Sequence, residues 1–103
     1  MNINQLVGEN IAKARKSAKL TQEELSALVQ ISRVSICNIE AGKQAVNVSM
    51  LYRLCLALDV PMGNFLPDEK MMAGMLLGED VVTMVMEKSP DRLRKMLIGF
   101  LTD

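Results

Sequence analysis

The 103-residue sequence contains no His and only two Cys, Cys37 and Cys55. Ser–His and Cys–His nucleophilic pairs are therefore ruled out, and a metal site would have to be built from carboxylates alone. Cys37 and Cys55 stand eighteen positions apart, a spacing that matches no metal motif and makes no disulfide framework. The glycine-rich loops that cradle phosphates, GxGxxG or GxxxxGK followed by Ser or Thr, do not occur. We expect no enzyme, no cofactor and no metal. What remains is the chemistry of helix surfaces, where Arg33, Ser35 and Asn38 form either a solvated face or a binding face. Cys37 lies among them, and Cys55, between Leu54 and Leu58, reads as a small buried hydrophobe.

The elements that must position these residues are helical. Leu and Met, at 14 and 9 residues, outnumber Val, Ile and Thr at 9, 6 and 3, which favours helix over sheet. Leu6, Val7, Ile11, Ala14 and Ala18 make one stripe over residues 4–18, an amphipathic helix. Thr21 with Glu24 is a capping box opening a second helix whose apolar positions are Leu25, Leu28 and Val29. Ser32 caps a third, from Arg33 to about Ala41, with Ile36 and Ile39 inward and Gly42 as its left-handed stop. Asn47 caps a fourth that buries Leu51, Leu54, Cys55 and Leu58 and ends at Pro61, with a brief turn over 62–66 after it. Two helices over 21–29 and 32–41, joined by a turn of about three residues and flanked by others, have the arrangement of a helix-turn-helix.

Residue identities add to that spacing. The run Leu20-Thr21-Gln22-Glu23-Glu24-Leu25-Ser26, then Ile31-Ser32-Arg33-Val34-Ser35-Ile36-Cys37-Asn38-Ile39-Glu40-Ala41-Gly42-Lys43, closely resembles the phage repressor/Cro-like (XRE) family. The family's next helix is matched by Leu51-Tyr52-Arg53-Leu54, Ala57-Leu58-Asp59-Val60 and Phe65-Leu66. The resemblance covers roughly residues 5–66. It implies that Thr21, Gln22 and the backbone N–H groups beside them hold a DNA phosphate. It also implies that Arg33, Val34, Cys37 and Asn38 face the major groove, with Arg33 suited to guanine, Asn38 to adenine and Val34 to a thymine methyl. Ser32 and Ser35, with Lys43 and Gln44, would sit against the DNA backbone, and Arg15 and Glu40 would form an ion pair linking the first and third helices.

The sequence departs from the family's pattern in three places. Gln30 stands where Gly is usual, and a left-handed Gln there would cost ~1 kcal/mol. Ala41 replaces a common Asn, and the loop after Gly42 lacks the usual Arg and Pro. Few bases remain for the DNA backbone, so a shallow salt dependence is expected. Twelve Lys+Arg against twelve Asp+Glu likewise exclude a purely electrostatic binder. Residues 1–66 carry seven bases and five acids, giving +2, whereas residues 67–103 carry five bases and seven acids, giving −2.

Pro67-Asp68 marks a boundary, so residues 1–66 are assigned to DNA binding and 67–103 to an extension. Ser89-Pro90 starts a helix along which Leu93, Met96, Leu97, Phe100 and Leu101 recur at helical spacing. The preceding stretch, with Met72, Met75, Leu76, Val82 and Val85, is apolar on more than one face. This surface either caps the core of its own chain or, as its breadth favours, forms a hairpin that dimerises. An antirepressor or toxin is a competing occupant. The expected protein is all-α: a five-helix repressor-like helix-turn-helix domain plus a C-terminal helical hairpin. The expected function is a cytoplasmic, homodimeric, sequence-specific repressor reading a near-palindromic operator in double-stranded DNA. No membrane span or export leader is apparent, and an antitoxin or a restriction–modification controller are the alternatives.

Overall fold

The computed structural model describes residues 2–68 together with Gly74 and Gly78. Its elements are α1 (Ile3–Ser17), α2 (Gln22–Val29), α3 (Arg33–Glu40), α4 (Val48–Leu58) and a 3-10 turn, Met62–Asn64. All belong to one unit, Met1–Leu66. No strand occurs among the described residues, as an all-α chain requires. The positions expected to oligomerise, from Met72 to Leu101, lie outside the described residues.

Short polar side chains start each of α1 to α4. Asn2 accepts from the Gln5 N–H at 2.9 Å while Gln5 Oε1 accepts from the Asn2 N–H at 2.9 Å, and Thr21 and Glu24 make the same reciprocal pair at 3.0 and 2.9 Å. Ser32 Oγ accepts from the Ser35 N–H at 3.1 Å, and Asn47 Oδ1 from the Met50 N–H at 2.8 Å. The ends are left-handed residues: Lys19 follows α1, Gln30 ends α2 at φ 56°, Gly42 follows α3 at φ 76° and Asp59 ends α4. Of these only Gly42 escapes the steric cost of that conformation, and a Cβ there would also crowd the Gln5 side chain.

The core joins Val7 and Ile11 of α1, Leu25 and Val29 of α2, Ile36 and Ile39 of α3, and Leu51, Leu54, Cys55 and Leu58 of α4, closed by Ile31 and Phe65. α3 packs on both α1 and α2, and α4 on both α1 and α2. Removing each such aliphatic side chain from water stabilises the fold by about 1.5–3 kcal/mol. Gly8 lets α1 and α3 approach: a Cβ on it would overlap the Ile39 carbonyl oxygen and lie 3.0 Å from that of Glu40.

Three expectations need correction. The fifth helix is only the 3-10 turn, because five residues between Pro61 and Pro67, one of them Gly63, are too few to nucleate an α-helix. Leu28 is 61% exposed, since it lies about 100° around α2 from Val29, off the buried stripe. Ala18 is exposed as well, being the residue that ends α1 rather than a member of it.

Candidate nucleic-acid interface

Ile36 and Ile39 pin one side of α3 into the core, so the opposite side is presented outward. Arg33 and Cys37 are exposed, Val34 is 69% exposed, and Ser35 and Asn38 are half-buried. The side chains of Arg33, Asn38 and Lys43 have no hydrogen-bond or ionic partner among the described residues. The Ser32 hydroxyl is committed as the cap of α3, leaving its O–H to donate outward. The Lys43 N–H donates to the Asn38 carbonyl at 2.8 Å, which ties the loop carrying exposed Lys43 and half-buried Gln44 to the end of α3.

Behind this face runs a charged network. Arg15 Nε donates to Glu40 Oε2 at 2.7 Å and Arg15 Nη2 to Glu40 Oε1 at 3.0 Å, a bidentate pair of 11% and 7% exposed side chains. Arg15 Nη1 donates to the Leu20 carbonyl at 2.7 Å, just before α2. Gln22 Nε2 donates to the same Glu40 Oε1 at 3.1 Å. Glu40, the last residue of α3, is thereby bonded to both α1 and α2, which fixes the attitude of the recognition face. The hydrogen bond to Glu40 holds the Arg15 guanidinium pKa above its ordinary value, against a smaller opposing effect of burial.

The network leaves donors over. Arg15 has five N–H groups and uses three; Gln22 has two on its amide and uses one. In the first turn of α2, Thr21 Oγ1 takes the Glu24 N–H, while the N–H groups of Gln22 and Glu23 have no intramolecular acceptor among the described residues. The residues that carry these donors border an open notch of about 410 Å³, lined by Arg15, Thr21, Gln22, Glu23 and Arg33. A tetrahedral oxyanion is what such a notch can hold. No cluster of potential metal ligands occurs among the described residues, nor does any helix there suit a membrane span by length and apolarity.

Other residues that hold this geometry were not apparent in the sequence reading. Gly8 allows the α1–α3 approach, and a glycine inside an otherwise apolar helical face was its available signal. Asn10 Nδ2 donates to the Phe65 carbonyl at 3.1 Å, and Arg53 Nη1 to the Val29 carbonyl at 3.3 Å, capping the end of α2. Neither has a local signal, because the partners lie 55 and 24 residues away. Cys55 is buried in α4, and burial raises its thiol pKa.

Two capped helices, a tight turn and an outward-facing second helix define an XRE-type helix-turn-helix protein. A family model described as helix-turn-helix matches residues 11–65, and the chain belongs to that family. It is 38% identical over 60 residues to an uncharacterized HTH-type transcriptional regulator, y4dJ of Sinorhizobium fredii, covering 58% of this chain and 78% of that protein. It is 31% identical over 67 residues to the antitoxin PezA of Streptococcus pneumoniae, covering 65% of this chain but only 42% of PezA. Among solved structures, the restriction-modification controller protein C.AhdI from Aeromonas hydrophila aligns with a TM-score of 0.58 at 24% identity, covering 60% of this chain and 94% of that one. At that identity the likeness speaks for the fold.

Proposed function

We propose that this DNA-binding regulator is a cytoplasmic homodimer that reads a near-palindromic operator and represses by occupying promoter DNA. The outward face of α3 is the observation that carries the reading. Val34, Cys37 and Asn38 stand on it, the Asn38 side chain having no hydrogen-bond partner among the described residues, on a helix whose attitude is set from behind. In this reading α3 enters the major groove, Asn38 pairs with adenine N6/N7 and Val34 meets a thymine methyl. Thr21, Gln22 and the free N–H groups of α2 take a phosphate on one flank, and Ser32, Ser35, Lys43 and Gln44 meet the backbone around α3. Dimerisation is assigned to the segment after Leu66 on the strength of its apolar stripe, Leu93, Met96, Leu97, Phe100 and Leu101. Two recognition helices would then enter successive major grooves about 34–36 Å apart. An enzymatic role has no support in residues that lack His and a nucleotide cradle.

The likeness to an antitoxin favours a second reading, in which the same DNA-binding unit is joined to a segment that binds another protein. Selection of bound duplexes from a random DNA pool separates the two. Enrichment of an inverted repeat with half-sites one helical turn apart supports the homodimer. A lone half-site removes the homodimer and keeps the DNA reading, and no enrichment by folded protein favours a partner that completes the binding unit.

A further inference from the structure

Arg33 is the residue of α3 whose chemistry best suits guanine, yet its placement points elsewhere. It is the first residue of α3, and helical side chains lean towards the N-terminus, away from the row formed by Val34, Cys37 and Asn38. It lines the same notch as Arg15, Thr21, Gln22 and Glu23 at the start of α2, and none of Val34, Cys37 or Asn38 lines it. The charges of that notch explain why a cation is needed. Arg15 is neutralised by Glu40, so without Arg33 the lining carries the uncompensated carboxylate of Glu23 beside the free N–H groups of α2. A phosphate approaching those donors would be repelled. Arg33 offsets Glu23 and adds a planar fork of five free donors matched to phosphate oxygens.

We infer that Arg33 completes a phosphate clamp with Gln22 and the first turn of α2 rather than reading a base, and that base recognition begins at Val34. This rests on the DNA-binding reading above and narrows it. With Arg33 on the backbone, the residues left for the groove are a valine, which fits a thymine methyl, an asparagine, which fits adenine, and a thiol, which is a weak donor. The half-site this chain recognises is accordingly defined by A·T pairs, with no guanine that depends on Arg33.

The test is selection from a random duplex pool with the wild-type chain, Arg33→Ala and Arg33→Lys, followed by titration of the enriched duplex at two salt concentrations. Arg33 is exposed and unpartnered, so the variants should keep the wild-type circular dichroism and thermal midpoint, which are recorded alongside. The expected result is one A·T-defined motif shared by all three proteins. Arg33→Ala should bind it about tenfold more weakly, with a log–log salt slope lower by about 0.9 for each recognition helix engaged. Arg33→Lys, which keeps the point charge, should recover most of the affinity. A guanine enriched by the wild type and lost in Arg33→Ala would overturn the assignment while leaving the DNA reading intact, as would an alanine variant with undiminished affinity. No motif for the folded wild-type chain would overturn the assignment for this chain alone and favour a partner that completes the binding unit.

Discussion

Glu40 is the residue whose removal should be felt most for its size. Its carboxylate accepts two hydrogen bonds from Arg15 at 2.7 and 3.0 Å and one from Gln22 at 3.1 Å, with both members of the ion pair about nine-tenths covered. Glu40→Ala leaves a largely buried guanidinium without its counter-ion and an amide N–H without an acceptor. Removing one partner of a buried pair costs about 3–5 kcal/mol, where an exposed pair contributes ~0–1 kcal/mol. A domain of this size has only about 5–15 kcal/mol of stability in all, so the variant should remain folded but lose a large share of it. The thermal midpoint should drop by ~12–24 °C, from about 4–8 °C for each kcal/mol and the lower end of that cost. The double variant Arg15→Met, Glu40→Leu is the control, since it removes both charges and keeps the volume filled. It should lie within ~1 kcal/mol of wild type, because an apolar pair spares the desolvation of two ions. The assay is urea unfolding followed by circular dichroism at 222 nm, with the slope compared between variants to confirm that the same surface is exposed. A loss below ~1 kcal/mol for Glu40→Ala would show that the pair behaves as a surface ion pair, and would refute Glu40 as the joint that holds α3.

Three further outcomes follow from the backbone and the caps. Gln30→Gly should stabilise the protein by about 0.5–1 kcal/mol in the same urea assay, because Gln30 sits at φ 56° where only glycine is free of strain; a loss of stability would mean that the Gln30 side chain has a structural role of its own. Gly8→Ala should destabilise by about 1–3 kcal/mol, since the new Cβ meets backbone oxygens of Ile39 and Glu40 that have no rotamer to escape into. Hydrogen bonding from the Thr21 backbone N–H, and then from the Thr21 side chain, lowers the Glu24 pKa below its ordinary 4.5. The folded state then releases this proton more readily than the unfolded one, so the stabilisation is complete above the ordinary glutamate pKa and fades as pH falls through the lower folded value. The gap in thermal midpoint between wild type and Glu24→Gln should therefore narrow from pH 7 towards pH 3, and a gap constant across that range would contradict the capping role of the ionised carboxylate.

Local chemistry accounts for what could be read in advance. Thr21 with Glu24, Ser32, Asn47 and Gly42 act on residues within four positions of themselves, so their spacing alone announces the helix starts and the stop. The stripe Leu51, Leu54, Cys55, Leu58 was legible for the same reason, and all four are buried. Leu28 misled because an apolar residue at i+3 belongs to a helical stripe in sequence, whereas the buried arc of a two-turn helix is narrower than the arc it can offer. α1 starts at Ile3, just ahead of the apolar stripe over 4–18, because Asn2 and Gln5 form their capping box before any apolar period is established. The joints made by Asn10, Arg53 and Gln22 cross between elements, and no window of sequence contains both ends of any of them. On the outward side of α3, the expected roles rest on resemblance, since an Arg, Val or Asn on the outer face of a helix carries no signal of its own.

The division of labour between the two faces of α3 bears on how this chain can bind tightly at all. Residues 1–66 hold only seven Lys and Arg, so few phosphates can be neutralised and counter-ion release adds modestly to affinity. Binding must therefore come from donors already held in place, where no side-chain entropy is lost on contact. Arg15 and Gln22 are such groups: their conformations are fixed by Glu40 and the Leu20 carbonyl, and each keeps N–H groups that these bonds do not use. Arg33 and Lys43 are free side chains that must be ordered on binding, at about 0.5–1.5 kcal/mol each. A single unit built this way gains geometry more than strength. Two units held at a fixed separation would bind the second half-site at an effective concentration set by the tether, multiplying affinity without adding a contact. On the proposed homodimer, a weak grip by one unit and the apolar spacing of Leu93, Met96, Leu97, Phe100 and Leu101 would be complementary, with specificity carried by α3 and strength by pairing.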